Sequence, residues 1–337
     1  MTNLRVLRFR AGESDVARVF ITGAMFEESV ARLAEAGHEV VYRNEANPIP
    51  REALLNGVRS ADALVCLMSD RIDEELLDAG AKLRIVANVA AGHENVDLEA
   101  TRRRGIVATH TPDVLTEATA DLTMALVLAT ARRVVEGDRA VRAGRFGAWG
   151  LVQPLMGSDV YGKVLGIVGM GRIGSAVARR AQCGFGMRIL YHNRTPIAPP
   201  SHGFEATWVS FDELLQESDF VCVHVPLTEE TRHLFGAREF ARMKPSAFLI
   251  NVARGAVVDE EALVRALAER QIAGAGLDVY EHEPEVHPQL LERSERVVLA
   301  PHMGSATEAT RRGMVRIAID NVLAVLSGNE PVTPIVG

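Results

Sequence analysis

Cysteine is scarce. Cys66, Cys183 and Cys222 are the three in 337 residues, odd in number and scattered. No C-x-x-C or Cys/His ligand spacing links them, which excludes a disulfide scaffold and a zinc site and leaves reduced thiols in a reducing compartment. Long apolar runs are missing too: none approaches the ~18 residues that a bilayer span needs. Met1 to Arg10 carries Arg5, Arg8 and Arg10 without an apolar h-region, so neither a membrane partner nor a secretory signal is expected. Glu13 and Asp15 sit badly with the acid-poor composition of a transit peptide, and residues 1–16 therefore read as an N-terminal tail of a cytoplasmic protein. An excess of cations is lacking as well. The formal net charge is −7 and the isoelectric point is near 5.9, which works against wrapping a phosphate backbone and excludes nucleic acid as an expected partner. The chain shows no internal repeat and no low-complexity tract.

What is present is an ordinary globular composition, 47% hydrophobic and 24% charged. At roughly 150 residues per domain the length implies two domains, each large enough for its own core. From Arg18 onward, short β-branched runs alternate with amphipathic stretches. Val19 to Ile21, His38 to Tyr42, Ala63 to Cys66, Arg84 to Val89 and Ile106 to Ala108 read as strands. Phe26, Val30, Leu33 and Ala34 share one helical face, and Gly37 is placed to stop that helix. Such repetition implies a parallel sheet covered on both faces. A second, more apolar series reads as a doubly wound sheet of about six strands: Val164 to Val168, Met187 to His192, Phe220 to Val225, Ala247 to Val252, Gly276 to Tyr280 and Arg296 to Ala300. Between the series, Glu117 to Val135 reads as one continuous connector helix. Glu308 to Leu326 reads as a last helix that returns to the first domain and makes it discontinuous.

The strand Val164 to Val168 runs into Gly169-Met170-Gly171-Arg172-Ile173-Gly174 and then into a helix pattern over Ser175 to Gln182. In this context G-x-G-x-x-G predicts a dinucleotide site. Gly169 makes the tight turn, Gly171 lets backbone approach a pyrophosphate, and Gly174 lets the helix pack on the strand. The anion would rest on the N–H groups of the helix N-terminus. At the end of the next strand, where an acid would bind a ribose 2′-hydroxyl, the chain has Asn193, Arg194 and Thr195. A cation and a hydroxyl suit a 2′-phosphate, which predicts NADP(H) over NAD(H), with NAD(H) still open. Arg194 equally suits stacking on an adenine or a solvated position.

Ligands of open α/β sheets bind beyond the strands' carboxyl ends, which places Gly169, Asn193, Arg194, Pro226, Arg254, Asp278 and His302 in view. Reduction of a ketone by hydride needs a proton for the developing alkoxide, and an imidazole beside a carboxylate can supply it near neutral pH. A guanidinium can grip a substrate carboxylate and polarise the adjacent carbonyl. His302, Glu283 and Arg254 fill these three roles.

The stretches Asn251-Val252-Ala253-Arg254-Gly255-Ala256-Val257-Val258-Asp259, Gly276-Leu277-Asp278-Val279-Tyr280-Glu281-His282-Glu283-Pro284 and Pro301-His302-Met303-Gly304-Ser305-Ala306-Thr307 resemble the signatures of the D-2-hydroxyacid dehydrogenases, over about Val19 to the C-terminus. Ala87-Asn88-Val89-Ala90-Ala91-Gly92, Thr111-Pro112-Asp113-Val114-Leu115-Thr116, Asn193-Arg194-Thr195 and Gly304-Ser305-Ala306-Thr307 bring the chain nearest to the glyoxylate/hydroxypyruvate reductases of that family.

The resemblance implies an α/β fold of two Rossmann-like doubly wound domains. A flavodoxin-like substrate domain would span 17–115 and 304–337, and an NAD(P)-binding domain 116–303, with the site in the cleft between them. It implies that His302 is the proton donor, Glu283 its partner and Arg254 the orienting cation. Asp278 would lie near the nicotinamide carboxamide, and Thr116, Val252, Ala253 and Gly304 at the cofactor. Backbone amides at Ala91 and Gly92 would take the substrate carboxylate, which suits a Gly-containing loop after a strand. The implied reaction is NADPH-preferring reduction of small 2-keto acids, glyoxylate to glycolate and hydroxypyruvate to D-glycerate, by a homodimer in which Trp149 reaches a neighbouring subunit.

Two departures stand out. Ala181-Gln182-Cys183-Gly184-Phe185-Gly186 is one residue longer than the usual pattern, which predicts a bulged helix end. His93-Glu94 replaces the more usual aromatic residue and Asp. Other readings of the same scaffold are an NAD-dependent lactate or phosphoglycerate dehydrogenase, a formate or phosphite dehydrogenase, and a dinucleotide-sensing corepressor. The short segment after Leu326 counts against a corepressor, and the His302–Glu283 pair counts against formate oxidation. The stretch His282-Glu283-Pro284-Glu285-Val286-His287 lacks metal-ligand spacing, so no metal is expected.

Overall fold

The structure is a computed structural model that describes residues 4–7, 16–196, 203–293 and 295–336. Arg8, Arg10, Glu13 and Asp15 of the stretch read as a tail lie outside the described residues. The chain divides into two compact units, Met1–Leu115 with Thr307–Gly337, and Thr116–Ala306.

In the first unit the strands are β1 (Leu4–Leu7), β2 (Arg18–Ile21), β3 (Glu39–Arg43), β4 (Ala63–Cys66), β5 (Ile85–Asn88) and β6 (Val107–Thr109), in the order β1-β3-β2-β4-β5-β6. All pair in parallel except β1, which lies antiparallel on β3. Residues 4–7 of the expected tail therefore form an edge strand. Their side chains are mostly exposed, so pairing with β3, and not apolar burial, puts them there. By contrast β4 and β5 are buried along their whole length, because helices cover both faces of a parallel sheet. The helix Glu27–Glu35 buries Val30, Leu33 and Ala34, the chain turns at Gly37 (φ +92°), and Glu308–Leu326 packs Val315, Ala318, Ile319 and Val322 into the same core. Asp73 and Asp97 cap the helices Glu74–Ala79 and Leu98–Arg103 by accepting backbone N–H bonds.

The second unit contains β7 (Val164–Val168), β8 (Arg188–His192), β9 (Thr207–Trp208), β10 (Phe220–Val223), β11 (Phe248–Asn251), β12 (Gly274–Leu277) and β13 (Val297–Leu299). They form a seven-stranded parallel sheet in the order β13-β12-β11-β10-β7-β8-β9. The two-residue β9 escapes a sequence reading because it is too short to show alternation. Strand β12 starts and ends earlier than Gly276 to Tyr280, since Gly274 lies close against the Arg296 carbonyl while Asp278 and Tyr280 belong to the following loop.

The connector is two helices and not one: Thr116–Ala131 and Val134–Arg142. Arg133 between them is left-handed (φ +56°), and its guanidinium binds Glu136 at 2.7 Å and the Pro154 carbonyl at 2.8 Å. The glycine-motif helix runs unbroken over Arg172–Phe185 without the expected bulge and closes at left-handed Gly186. No helix among the described residues is long and apolar enough to cross a membrane.

Candidate active site

In an open parallel sheet, strand ends converge on one edge, and the second unit collects its polar side chains there. The order of β10, β7 and β8 makes β7 the point where the winding reverses. Gly169 after β7 has φ +99°, a region that glycine enters freely. A Cβ on Gly174 would lie 2.3 Å from the Gly169 carbonyl, so the helix sits directly on the turn. A Cβ on Gly171 would meet nothing within 4 Å. Gly171 is also the N-cap of the helix Arg172–Phe185 and makes no side-chain cap bond. Open backbone at a helix N-terminus, with Arg172 and Ile173 in its first turn, fits the pyrophosphate of a dinucleotide.

Asn193 Oδ1 accepts the Met170 N–H at 2.7 Å and so braces the glycine turn, while the Asn193 carbonyl accepts the Trp208 indole N–H at 3.2 Å. Arg194 and Thr195 follow it, exposed. The Glu230 carboxyl is held below the usual carboxylate range, first by the Thr228 hydroxyl that donates at 2.7 Å and further by the charge of Arg194. The Pro226 carbonyl accepts the Thr231 hydroxyl at 2.7 Å. Near the turn is a residue that sequence reasoning missed, His224, whose backbone lies against Gly169. Its Nε2 is buried with no hydrogen-bond partner among the described residues, and burial pushes its pKa down to about 3.

Beyond β11, buried Asn251 holds the next loop: Oδ1 accepts the Ala253 N–H at 3.0 Å and Nδ2 donates to the Arg254 carbonyl at 2.9 Å. Val252 is buried, and Arg254 Nη1 donates to the Ala253 carbonyl at 2.6 Å. A Cβ on Gly255 would lie 1.8 Å from the Tyr280 carbonyl carbon, so only glycine lets the Arg254 loop rest on the loop that follows β12. In that second loop Glu283 Oε1 accepts the Tyr280 N–H at 3.1 Å, and Oε2 meets His302 Nδ1 at 2.7 Å. Burial alone would raise the Glu283 carboxyl, but the hydrogen bond and charge of His302, the Tyr280 N–H and the Arg254 charge together hold it below the ordinary range. The His302 and Glu283 side chains remain 41% and 35% exposed, so a solute can reach the pair. With Nδ1 on a carboxylate, Nε2 is the ring nitrogen left to exchange a proton with a substrate.

Asp278 is buried, with Oδ1 on the Met303 N–H at 2.7 Å and Oδ2 on the Gly304 N–H at 2.8 Å. Burial raises its carboxyl above the ordinary value, against the pull of those N–H groups and of the His302 charge. Thr116 is the first residue of its helix. The structure thus brings Arg254, Glu283, Asp278 and His302 onto interlocking loops of one unit, whereas Ala91 and Gly92 belong to the other. There they follow β5 with their carbonyls engaged: Ala91 O accepts from His110 Nδ1 at 2.8 Å and Gly92 O from Asn88 Nδ2 at 3.0 Å. The bracing roles of Asn88 and Asn251 were legible only as asparagines that end apolar strands. Among the described residues no group of three or more His, Cys, Asp or Glu is placed to hold a metal ion.

The family model for the D-isomer specific 2-hydroxyacid dehydrogenase, NAD binding domain, matches residues 124–304. A glyoxylate reductase of Thermococcus gammatolerans is 52% identical over 319 residues, 94% of this chain and 95% of that protein. The chain belongs to the D-isomer specific 2-hydroxyacid dehydrogenase family. Among solved members, a glyoxylate reductase from Paecilomyes thermophila shares 34% identity with a TM-score of 0.84, covering 95% of this chain and 98% of that one. An NADPH-dependent glyoxylate/hydroxypyruvate reductase from Sinorhizobium meliloti, solved with NADP and malonate, shares 36% identity with a TM-score of 0.81, covering 95% and 96%. As a D-2-hydroxyacid dehydrogenase the chain has two Rossmann-like α/β domains and uses a nicotinamide dinucleotide.

Proposed function

We propose that this dehydrogenase reduces glyoxylate to glycolate and hydroxypyruvate to D-glycerate, with NADPH preferred over NADH. The observation that carries the reading is the 2.7 Å contact between His302 Nδ1 and Glu283 Oε2, beside the adjoining loop that carries Arg254. When bound, the dinucleotide supplies the hydride. His302 gives its Nε2 proton to the 2-oxo oxygen, of an aldehyde in glyoxylate and of a ketone in hydroxypyruvate, as hydride reaches the carbon, and Glu283 stabilises the charged imidazole before the transfer and fixes the ring's orientation. Arg254 grips the substrate and polarises its carbonyl. The N–H groups of Ala91 and Gly92 take the substrate carboxylate. Gly169, Gly171, Arg172, Ile173 and Gly174 hold the pyrophosphate, Arg194 and Thr195 the 2′-phosphate, and Pro226, Val252, Ala253, Gly304 and Thr116 line the remainder.

The relatives support this substrate class: one is named a glyoxylate reductase at 52% identity, and another NADPH-dependent and solved with NADP. The free thiols Cys66, Cys183 and Cys222 agree with a cytoplasmic location. A second copy of the chain is proposed to cover Phe146, Trp149, Leu151 and Val152, large apolar side chains close together along the chain and each at least 80% exposed. Sedimentation at twice the chain mass is expected, and a monomer would remove that part of the reading.

The test is a steady-state panel of 2-keto acids with both reduced cofactors, run on the parent and on Arg194→Ala. Glyoxylate and hydroxypyruvate should give the highest kcat/KM, and Arg194→Ala should cut kcat/KM with NADPH by about tenfold or more while sparing NADH, the scale of one charge-assisted hydrogen bond. Pyruvate or a phosphorylated keto acid leading the panel would overturn the substrate assignment, and an unchanged NADPH preference the 2′-phosphate contact.

A further inference from the structure

His302 has φ +51°, the left-handed region that a residue with a Cβ seldom occupies. Such a conformation persists where the surroundings over-determine it, and here one residue does so. The His302 N–H donates to the Asp278 carbonyl at 2.8 Å, the Met303 N–H to Asp278 Oδ1 at 2.7 Å and the Gly304 N–H to Asp278 Oδ2 at 2.8 Å. Three successive amides of the loop thus end on one side chain and its own carbonyl. Asp278 is itself anchored, because its N–H donates to the Asn251 carbonyl at 2.9 Å, and the Asn251 side chain holds the loop of Arg254.

We infer that Asp278 is a positioning residue: it sets the backbone of residues 302–304 so that the His302 ring meets Glu283 and keeps its other nitrogen for the substrate. The inference rests on the proton-donor role proposed above. A carboxylate is required because it only accepts, and both of its oxygens face N–H groups. An amide of the same shape would turn an NH₂ group against one of them. The bonds are charge-assisted and therefore stiff. Stiffness matters because displacement of a reacting group by about 1 Å can cost ~10²-fold in rate. The charged and titratable groups that face the Asp278 carboxylate are His302 and Glu283, with Tyr280 within electrostatic reach.

The experiment compares the parent with Asp278→Asn by three readouts: dinucleotide Kd without substrate, from the fluorescence of the reduced nicotinamide; kcat at saturating dinucleotide; and the His302 ring resonances by NMR. A positioning role predicts kcat lower by about tenfold or more at saturating dinucleotide, together with altered His302 ring resonances in the dinucleotide-free protein. A Kd raised about tenfold with kcat and the His302 resonances unchanged would overturn it and assign Asp278 to the dinucleotide. Met303→Gly gives a second arm should Asp278→Asn fail to fold, because it loosens the same loop and leaves the carboxylate in place. It should lower kcat several-fold and shift the His302 signals with Kd unaltered, whereas parental kcat and spectra would count against a loop that must be held. The NMR arm needs no turnover, so a wrong substrate assignment is distinguishable from a wrong role for Asp278.

Discussion

The loop after β5 in the first unit and the loop before helix Glu308–Leu326 that carries His302 are each held by a buried Asx side chain at or next to a strand end, yet the two clamps have opposite polarity. Asn88 donates its NH₂ to the Gly92 carbonyl and shares further bonds with Asn95, which in turn donates to the Leu67 and Asp70 carbonyls at 3.2 and 2.9 Å. Asp278 accepts from the Met303 and Gly304 amides. A donor clamp ties down a loop's carbonyls and leaves its N–H groups for an anion. An acceptor clamp ties down N–H groups and leaves a side chain, here an imidazole, to do the work. Under the roles proposed above, one unit uses its loop for an anion and the other for a proton donor, and the side chains that hold the two loops present opposite polarity, the Asn88 NH₂ group in one and both oxygens of Asp278 in the other.

The largest effect should come from removing what the acceptor clamp presents. His302→Ala is expected to lower kcat for keto-acid reduction by ~10²-fold or more, the usual worth of a positioned general acid, with dinucleotide binding preserved. Single-turnover rates and a fluorescence titration check this, and a variant that turns over at the parental rate would end the proton-donor assignment. A smaller and different effect should follow from reversing the polarity of the donor clamp. Asn88→Asp sets a carboxylate against the Gly92 carbonyl and leaves buried groups unpaired, which costs about 1–3 kcal/mol of stability. It should also raise KM for the keto acid more than it lowers kcat. Thermal unfolding together with the KM and kcat split measures it, and a variant impaired in kcat alone would show that the two loops do not divide the labour in this way.

Much of the architecture was legible because period and capping agree locally. Glu308–Leu326 is bounded as the sequence pattern predicts, with Thr307 capping it in the structure, and β4 and β7 coincide with their apolar runs. The break in the connector was not legible. Ala131 to Val134 continues the helical pattern, yet the chain breaks at left-handed Arg133, whose guanidinium reaches both Glu136 and the Pro154 carbonyl. β1 and β9 were missed for a similar reason, since four and two residues carry too little alternation and hydrogen bonding to a neighbouring strand creates them.

At the site the same division holds. Residue types and their order along the chain were enough to nominate His302, Glu283, Arg254 and the glycine turn, because strand-end chemistry and the G-x-G-x-x-G spacing are local properties. Which oxygen faces which N–H belongs to the fold alone. The 2.7 Å pairing of His302 with Glu283, the left-handed turn at His302 and the three amides gathered by Asp278 each join positions 19 to 26 residues apart or depend on such a join. Spacing along a chain carries no information about angle or distance across a sheet edge until burial and hydrogen bonding have set the strands side by side.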